Sequence, residues 1–533
     1  MQPRATPAAA GPAWSPLREK VFRALWLAQF VSNVGGWVQT VGAQWLLVGH
    51  GPALVSLVQV AAGLPVLLLA LPAGVLADLV DRRRLLLGLQ AAMAAAAAVL
   101  TALALLGTLG VWSLLLLTFL LGCLTALGGP AWQALQPSLV PREQLRQASA
   151  LGAVNMNLAR AAGPALGGAL VAAAGVDWTF AVNAVSFLGI LLVLLRWRPT
   201  AQTPRRGQER EHALAALRAG GRYVRNAPSV RRILLRSALF VPGAAALWAL
   251  LPVAAVQRLG LGPSGYGVLL GAVGLGAVLG AAALPRLGAR LGATGMLALA
   301  GTLTAGALLV VAVSRDATSA GAALAVAGAA WIWGLSTLSA ALQLEVPNWV
   351  RARAVACYLL VFQGGNALGA LVWGQLAQRA GLTAALAVPA GLLLLGVVSL
   401  RGLPLLNGRA DPALSDTWPE PRLTVEPAPQ DGPVLVTATY RVAVPDAPDF
   451  TRAMAAIEAS RRRTGAIGWG LYRDAAAPER FTEVFTVSSW AEHRAQHHDR
   501  YTGIDHEFER TARRFAAEDP VVTHAVAARP QGL

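Results

Sequence analysis

Lysine is nearly absent from this 533-residue chain, with Lys20 its only example. A phosphate-binding loop of the form G-x-x-x-x-G-K-[ST] therefore cannot be built, which excludes a P-loop ATPase. Cysteine is almost as scarce. Cys123 and Cys357 both lie in apolar stretches, so neither a disulfide framework nor a cysteine metal site is available. Charge is also short, at 13% of residues against 55% hydrophobic. A soluble domain carries about a quarter charged residues, so an ordinary cytosolic enzyme is excluded, and the apolar content excludes disorder. The net charge of +17 divides unevenly: residues 1–430 carry 31 basic and 13 acidic residues, and residues 431–533 carry 13 and 14. A basic excess confined to the apolar part is the pattern of a membrane protein and not of a nucleic-acid binder.

A bilayer core about 30 Å thick needs roughly 20 apolar residues per helix. Twelve such runs lie near 22–48, 53–77, 85–107, 111–135, 147–174, 178–195, 230–256, 264–284, 293–313, 318–343, 353–377 and 382–400. The N-terminus and the loops after even-numbered runs hold Arg4, Arg18, Lys20, Arg23, Arg82, Arg83, Arg84, Arg142, Arg146, ten arginines from Arg196 to Arg232, Arg286, Arg290, Arg351 and Arg353. The loops after odd-numbered runs hold Arg258, Arg315 and Arg379. The positive-inside rule then places both termini in the cytoplasm of a multi-pass protein of the inner (plasma) membrane.

The chain also echoes itself at a fixed offset of 206 residues. Gly74 maps to Gly280, Arg84 to Arg290, Val140 and Pro141 to Val346 and Pro347, and Gly163 and Gly168 to Gly369 and Gly374. One register across four segments predicts two six-helix halves related as parallel repeats, with a substrate path between them. The expected organisation is a segment 1–21, a first half 22–195, a basic linker 196–229, a second half 230–401, a Pro-rich linker 402–433 and a soluble domain 434–528.

Between the second and third runs stands Gly74-Val75-Leu76-Ala77-Asp78-Leu79-Val80-Asp81-Arg82-Arg83-Arg84. It resembles the signature loop of the major facilitator superfamily, G-x-L-a-D-r-x-G-R-r-r, departing from it at Leu79 and Asp81. The resemblance implies a twelve-helix fold and a conformational latch formed by Gly74, Asp78, Arg82, Arg83 and Arg84. The alternative for the arginines is that they only anchor topology. Gly163-Pro164-Ala165-Leu166-Gly167-Gly168 resembles the later part of the superfamily's antiporter motif and implies export. Ala150 and Ala159 stand where that motif has earlier glycines. Gly129-Pro130-Ala131-Trp132-Gln133-Ala134, Leu139-Val140-Pro141-Arg142 and Asn155-Met156-Asn157-Leu158-Ala159-Arg160 are similar to one branch, the transmembrane secretion effector group of enterobactin-exporter-like proteins. The resemblance covers roughly residues 20–400.

Polar residues inside apolar helices mark partners or pathways. Gln29, Asn33 and Arg160 are the cavity candidates, while Gln39, Gln44, Asn155, Gln363 and Asn366 read as interhelical hydrogen-bonders. Asp78, Asp81, Asp177 and Glu345 lie at or near helix ends and none is central. Asp78 and Glu345 are therefore the candidates for proton coupling.

After 433 the periodicity changes. Segments 434–444, 466–473, 481–487 and 521–527 alternate as strands, while 449–463 and 490–515 read as helices. The order β-α-β-β-α-β predicts a ferredoxin-like α+β domain. With Gly468-Trp469-Gly470-Leu471-Tyr472 and Ser489-Trp490-Ala491-Glu492-His493, it resembles the antibiotic-biosynthesis-monooxygenase type of dimeric α/β barrel. Such a sheet implies a homodimer through an apolar face carrying Trp469 and Phe485. His493 and His497, with His498 and His506 following, have metal-compatible spacing, but the expected reading is a solvated helix face, with no metal and no cofactor. The whole is expected to be a secondary active exporter of a small amphipathic molecule (a siderophore, secondary metabolite or drug) and not an enzyme. The competing reading is a membrane-tethered enzyme or regulatory protein whose tail binds or modifies a metabolite. The expected partners are the lipid bilayer and the small-molecule substrate, without nucleic acid.

Overall fold

A computed structural model of the chain describes residues 14–135, 139–197, 221–405 and 426–528. Most of the expected N-terminal segment, much of the basic linker and most of the Pro-rich linker lie outside the described residues. Among the described residues between 20 and 398 the long helices are α1 Lys20–Leu47, α2 Pro52–Leu79, α3 Arg82–Leu105, α4 Val111–Leu135, α5 Leu145–Ala174, α6 Asp177–Arg196, α7 Pro228–Gln257, α8 Pro263–Val313, α9 Ala317–Glu345 and α10 Asn348–Val398.

Local chemistry sets their ends. Pro52 and Pro263 open α2 and α8 just after a glycine, where the missing N–H costs nothing. Asp81 caps α3, its Oδ1 accepting from the Arg84 N–H at 2.9 Å. The 51-residue helices α8 and α10 are each broken by a glycine of positive φ, Gly292 (φ 64°) and Gly381 (φ 84°). Gly175, between α5 and α6, has φ 97° and ψ 169°, against ψ 161° at Gly381. The two stand 206 residues apart, so one left-handed backbone conformation recurs at the offset seen in the sequence.

Among the described residues, eight helices are long and apolar enough to cross a membrane. Leu116, Leu192, Val268 and Leu395 point outward from the bundle, each more than half exposed, as lipid-facing residues would. Buried Leu47, Val55, Leu100, Leu114 and Phe180 make one interior cluster, and Leu25, Leu86, Ile190 and Leu194 another.

The chain divides into two compact units. One comprises Met1–Arg206, Arg236–Thr337 and Leu359–Leu403; the other comprises Gly207–Leu235, Leu338–Tyr358 and Pro404–Leu533. The second unit thus takes in helix ends that a division by composition gives to the membrane halves.

Within it, residues 434–526 build a four-stranded antiparallel sheet from β1 Val434–Arg441, β2 Gly468–Arg473, β3 Arg480–Val487 and β4 Val521–Val526. The strand order is β2-β3-β1-β4. Helix α11, Ala447–Thr464, lays Phe450, Met454 and Ile457 on Tyr440 and Phe481 of the sheet. The expected single helix over 490–515 is instead two, α12 Trp490–His498 and α13 Gly503–Arg513. Thr502 makes a capping box with Asp505 that starts α13 afresh, which ends any continuous helix at 499–502.

Trp469 and Phe485 do not form the open face the sequence suggests. Phe485 is 1% exposed among Val436, Val487 and Trp490, and the half-buried Trp469 donates its Nε1–H to Glu483 Oε1 at 3.0 Å. Alternation puts both on the helix-covered face. The opposite face carries Leu435, Thr437, Thr439, Thr482 and Thr486.

Candidate functional site

A cleft of about 340 Å³ opens among α1, α4 and α5. Its α1 wall carries Trp26, Gln29 and Asn33, which the spacing i, i+3, i+7 puts on one helical face. Trp132 and Gln133 of α4, with Asn155 and Met156 of α5, complete the polar and aromatic lining.

A ladder of side-chain hydrogen bonds holds this wall. Gln29 Nε2 donates to Asn33 Oδ1 at 3.1 Å, and Asn33 Nδ2 donates to Asn155 Oδ1 at 2.9 Å. Asn155 Nδ2 donates to the Trp26 carbonyl at 2.7 Å, and the Trp26 indole N–H donates to the Leu151 carbonyl at 2.8 Å. Asn155 is 2% exposed, so its amide costs little only because both its ends are paired.

Gln29 and Asn33 both line this cleft. Arg160 does not line the cleft; it lies half-buried on α5, one turn beyond Met156. Asn155 is the interhelical bonder it was expected to be, and it lines the cleft as well. Gln39 accepts from Asn183 of α6, and Gln44 accepts from Tyr266 of α8 at 2.8 Å, both as bundle-internal bonds.

The Gly-Pro motif packs on two fronts. A Cβ on Gly163 would strike Trp37 of α1, and a Cβ on Gly168 would strike the backbone of Gly267 in α8. Gly369, 206 residues after Gly163, likewise leaves no room for a Cβ, here against the backbone of Pro242 in α7. Close helix approach, and not backbone freedom, is what fixes glycine here. Pro164 is buried beside them.

In the signature loop, Gly74 is half-buried with open space where a side chain would go. Asp78 falls in the last turn of α2, and its side chain lies outside what the structure describes. Arg82 and Arg84 are exposed. Arg83 reaches the end of α6, donating from Nε to the Leu194 carbonyl and from a terminal nitrogen to that of Leu195, both at 3.0 Å. It thereby neutralises the carbonyl pole of that helix. Glu345 is 7% exposed at the end of α9, and its Oε1 has no hydrogen-bond partner among the described residues.

Sequence reasoning passed over Arg236 in α7, which is 3% exposed. It donates to the carbonyls of Gly396, Ser399 and Leu403, so its charge is absorbed by the C-terminal end of α10. No local signal separated it from the linker arginines beside it. Gln133 was detectable, since it lies within the 129–134 run.

His498 is exposed, as a solvated face would have it, but His493 and His497 are not on such a face. His493 is 1% and His497 9% exposed, because α12 turns that side toward the sheet beside His524 of β4.

The helical bundle, with its glycine-mediated helix crossings and a polar cleft within it, has the fold of the major facilitator transporters. The nucleoside transporter NupG shares the fold over 72% of this chain and 99% of its own, with a TM-score of 0.56 at 13% identity. A bacterial homologue of the iron transporter ferroportin, in its inward-facing state, gives 0.55 at 17% identity over 72% and 98%. The model of the transmembrane secretion effector family matches residues 11–531, and the chain belongs to that family. The enterobactin exporter EntS of Shigella boydii serotype 4 is 30% identical over 387 residues, 71% of this chain and 91% of that protein. Its counterpart from Escherichia coli O1:K1 is 31% identical over the same length.

Proposed function

We propose that the protein exports a small amphipathic molecule of siderophore type across the inner membrane by alternating access. The observation that carries this is the Gln29–Asn33–Asn155–Trp26 ladder along a cleft of about 340 Å³, in a chain about 30% identical to enterobactin exporters. Paired amides beside Trp26 and Trp132 offer hydrogen bonds and flat apolar surface together, the lining that suits an aromatic, polar-rimmed ligand. Arg160, one turn from the cleft wall, is the proposed attraction for a negatively charged group.

In this reading the ten helices, with α8 and α10 counted as two each at their glycine breaks, make twelve crossings in two repeats, with both termini cytoplasmic. Gly74, Asp78 and Arg82–Arg84 latch the cytoplasmic side. Gly163, Pro164, Gly167 and Gly168 let the repeats approach closely enough to rock. Asp78 and Glu345 are the proposed proton carriers, Glu345 on the strength of its burial and its unpartnered oxygen. The tail is ferredoxin-like by its element and strand order. Its uncovered sheet face is the proposed homodimer surface.

The test is export itself. Cells lacking their own siderophore exporter, given this chain, should secrete siderophore and stop accumulating it. Unchanged internal siderophore, with the protein inserted, refutes the assignment.

A further inference from the structure

We propose that His493, His497 and His524 form a binding site for one divalent transition-metal ion of the Zn2+, Co2+ or Ni2+ class. His493 and His497 are one helical turn apart on α12, with their Nε2 atoms 3.1 Å from each other. His524 enters from β4, where it pairs across the sheet with Val436 and so shares the helix-covered face. One ring nitrogen from each of the three lies within 4.8 Å of the other two. A tetrahedral ion with bonds of about 2.1 Å holds its ligand nitrogens about 3.4 Å apart, so side-chain torsion alone closes this set.

Two features favour a cation over three packed rings. His493 Nδ1 and His524 Nε2 are buried and have no hydrogen-bond partner among the described residues. The charge of Arg461 does not oppose the ion unopposed, since Glu483 and Glu509 pair with it at 3.0 and 2.8 Å.

The donor set decides the class. Three imidazoles without thiolate suit a borderline ion and not Mg2+ or Ca2+, which take oxygen ligands. Trp490, whose ring lies 5.3 Å from His493 and 6.3 Å from His524, walls the site on its apolar side. Three protein ligands leave a fourth position for water or a small ligand, and His524, half-buried, stands on the open side.

The full chain, purified in detergent without a polyhistidine tag and stripped by chelator, should bind one Co2+ per chain and show tetrahedral visible bands. Zn2+ should displace those bands. His497→Gln and His524→Ala should each weaken Co2+ binding by about 10-fold or more, and His498→Gln should not. Thermal unfolding of each variant, measured without metal, separates lost ligation from lost folding. Absence of saturable binding, or binding indifferent to His497→Gln and His524→Ala in folded protein, overturns the site.

Discussion

The bond between Asn33 and Asn155 offers the sharpest measurement of the cleft. Asn155→Leu keeps the side chain's size while removing both the acceptor for Asn33 Nδ2, at 2.9 Å, and the donor to the Trp26 carbonyl, at 2.7 Å. Leaving a buried amide partner unsatisfied costs about 1–3 kcal/mol. Interhelical hydrogen bonds in membrane proteins average about 0.6 kcal/mol in double-mutant cycles and reach about 1.7. Because Asn155 is 2% exposed, little water competes for its amide, and the upper part of that range applies. A cycle of Asn33→Ala, Asn155→Leu and the double variant, followed by unfolding in detergent, should give a coupling of about 1–1.7 kcal/mol. Siderophore export by Asn155→Leu should fall about 5- to 10-fold, since about 1.4 kcal/mol is a factor of ten. Energies that add within about 0.3 kcal/mol would mean that the two amides do not meet, and the ladder would be refuted.

Asp78→Asn should abolish most export while leaving insertion intact; full activity would reduce the signature loop to a topology anchor. Gly168→Leu should block the approach of α5 to α8 and lower export more than Gly74→Leu does, Gly74 facing open space; equal losses would count against the packing argument. Acid should loosen the tail. His493 is pushed from 6.5 down to about 4, so its neutral form stabilises the fold above pH about 6.5, and about 3 kcal/mol is lost as pH falls toward 4. Fluorescence of Trp490 should follow that loss, and a tail equally stable at pH 4 and 7 would contradict it. Arg461→Met should destabilise the same domain by about 3–5 kcal/mol in thermal unfolding, because it strands the fully buried Glu483.

Much of this architecture is legible in residue order alone. Helix runs are long, and a missed boundary shifts them by only a few residues, so the 382–400 run meets a helix resuming after Gly381. Gln29 and Asn33 were readable because a repeated amide in an apolar helix needs a partner. The partner itself was not, since Asn155 lies 122 positions from Asn33. The histidines went wrong for a related reason. A spacing of four fixes which side chains share a face but says nothing about what that face meets. Here it meets β4, whose own histidine comes 27 residues later. The break at 499–502 escaped because apolar periodicity resumes in phase on either side of it, and only the Thr502–Asp505 cap interrupts it.

Of the helices in the bundle, α1 and α5 are not among those apolar enough to cross a membrane on their own, and these two carry the hydrogen-bonded amides of the cleft's ladder. The residues that would select a cargo are thus the ones that make a segment a poor signal for insertion as it leaves the ribosome. Because α1 emerges first, its stay in the bilayer depends on a follower. Only four residues separate the end of α1 from the proline-opened, strongly apolar α2, close enough for the pair to enter as a hairpin. Recognition and biogenesis therefore pull on the same side chains in opposite directions. Replacing Gln29, Asn33 or Asn155 with leucine would ease the insertion of the protein while weakening its hold on a cargo.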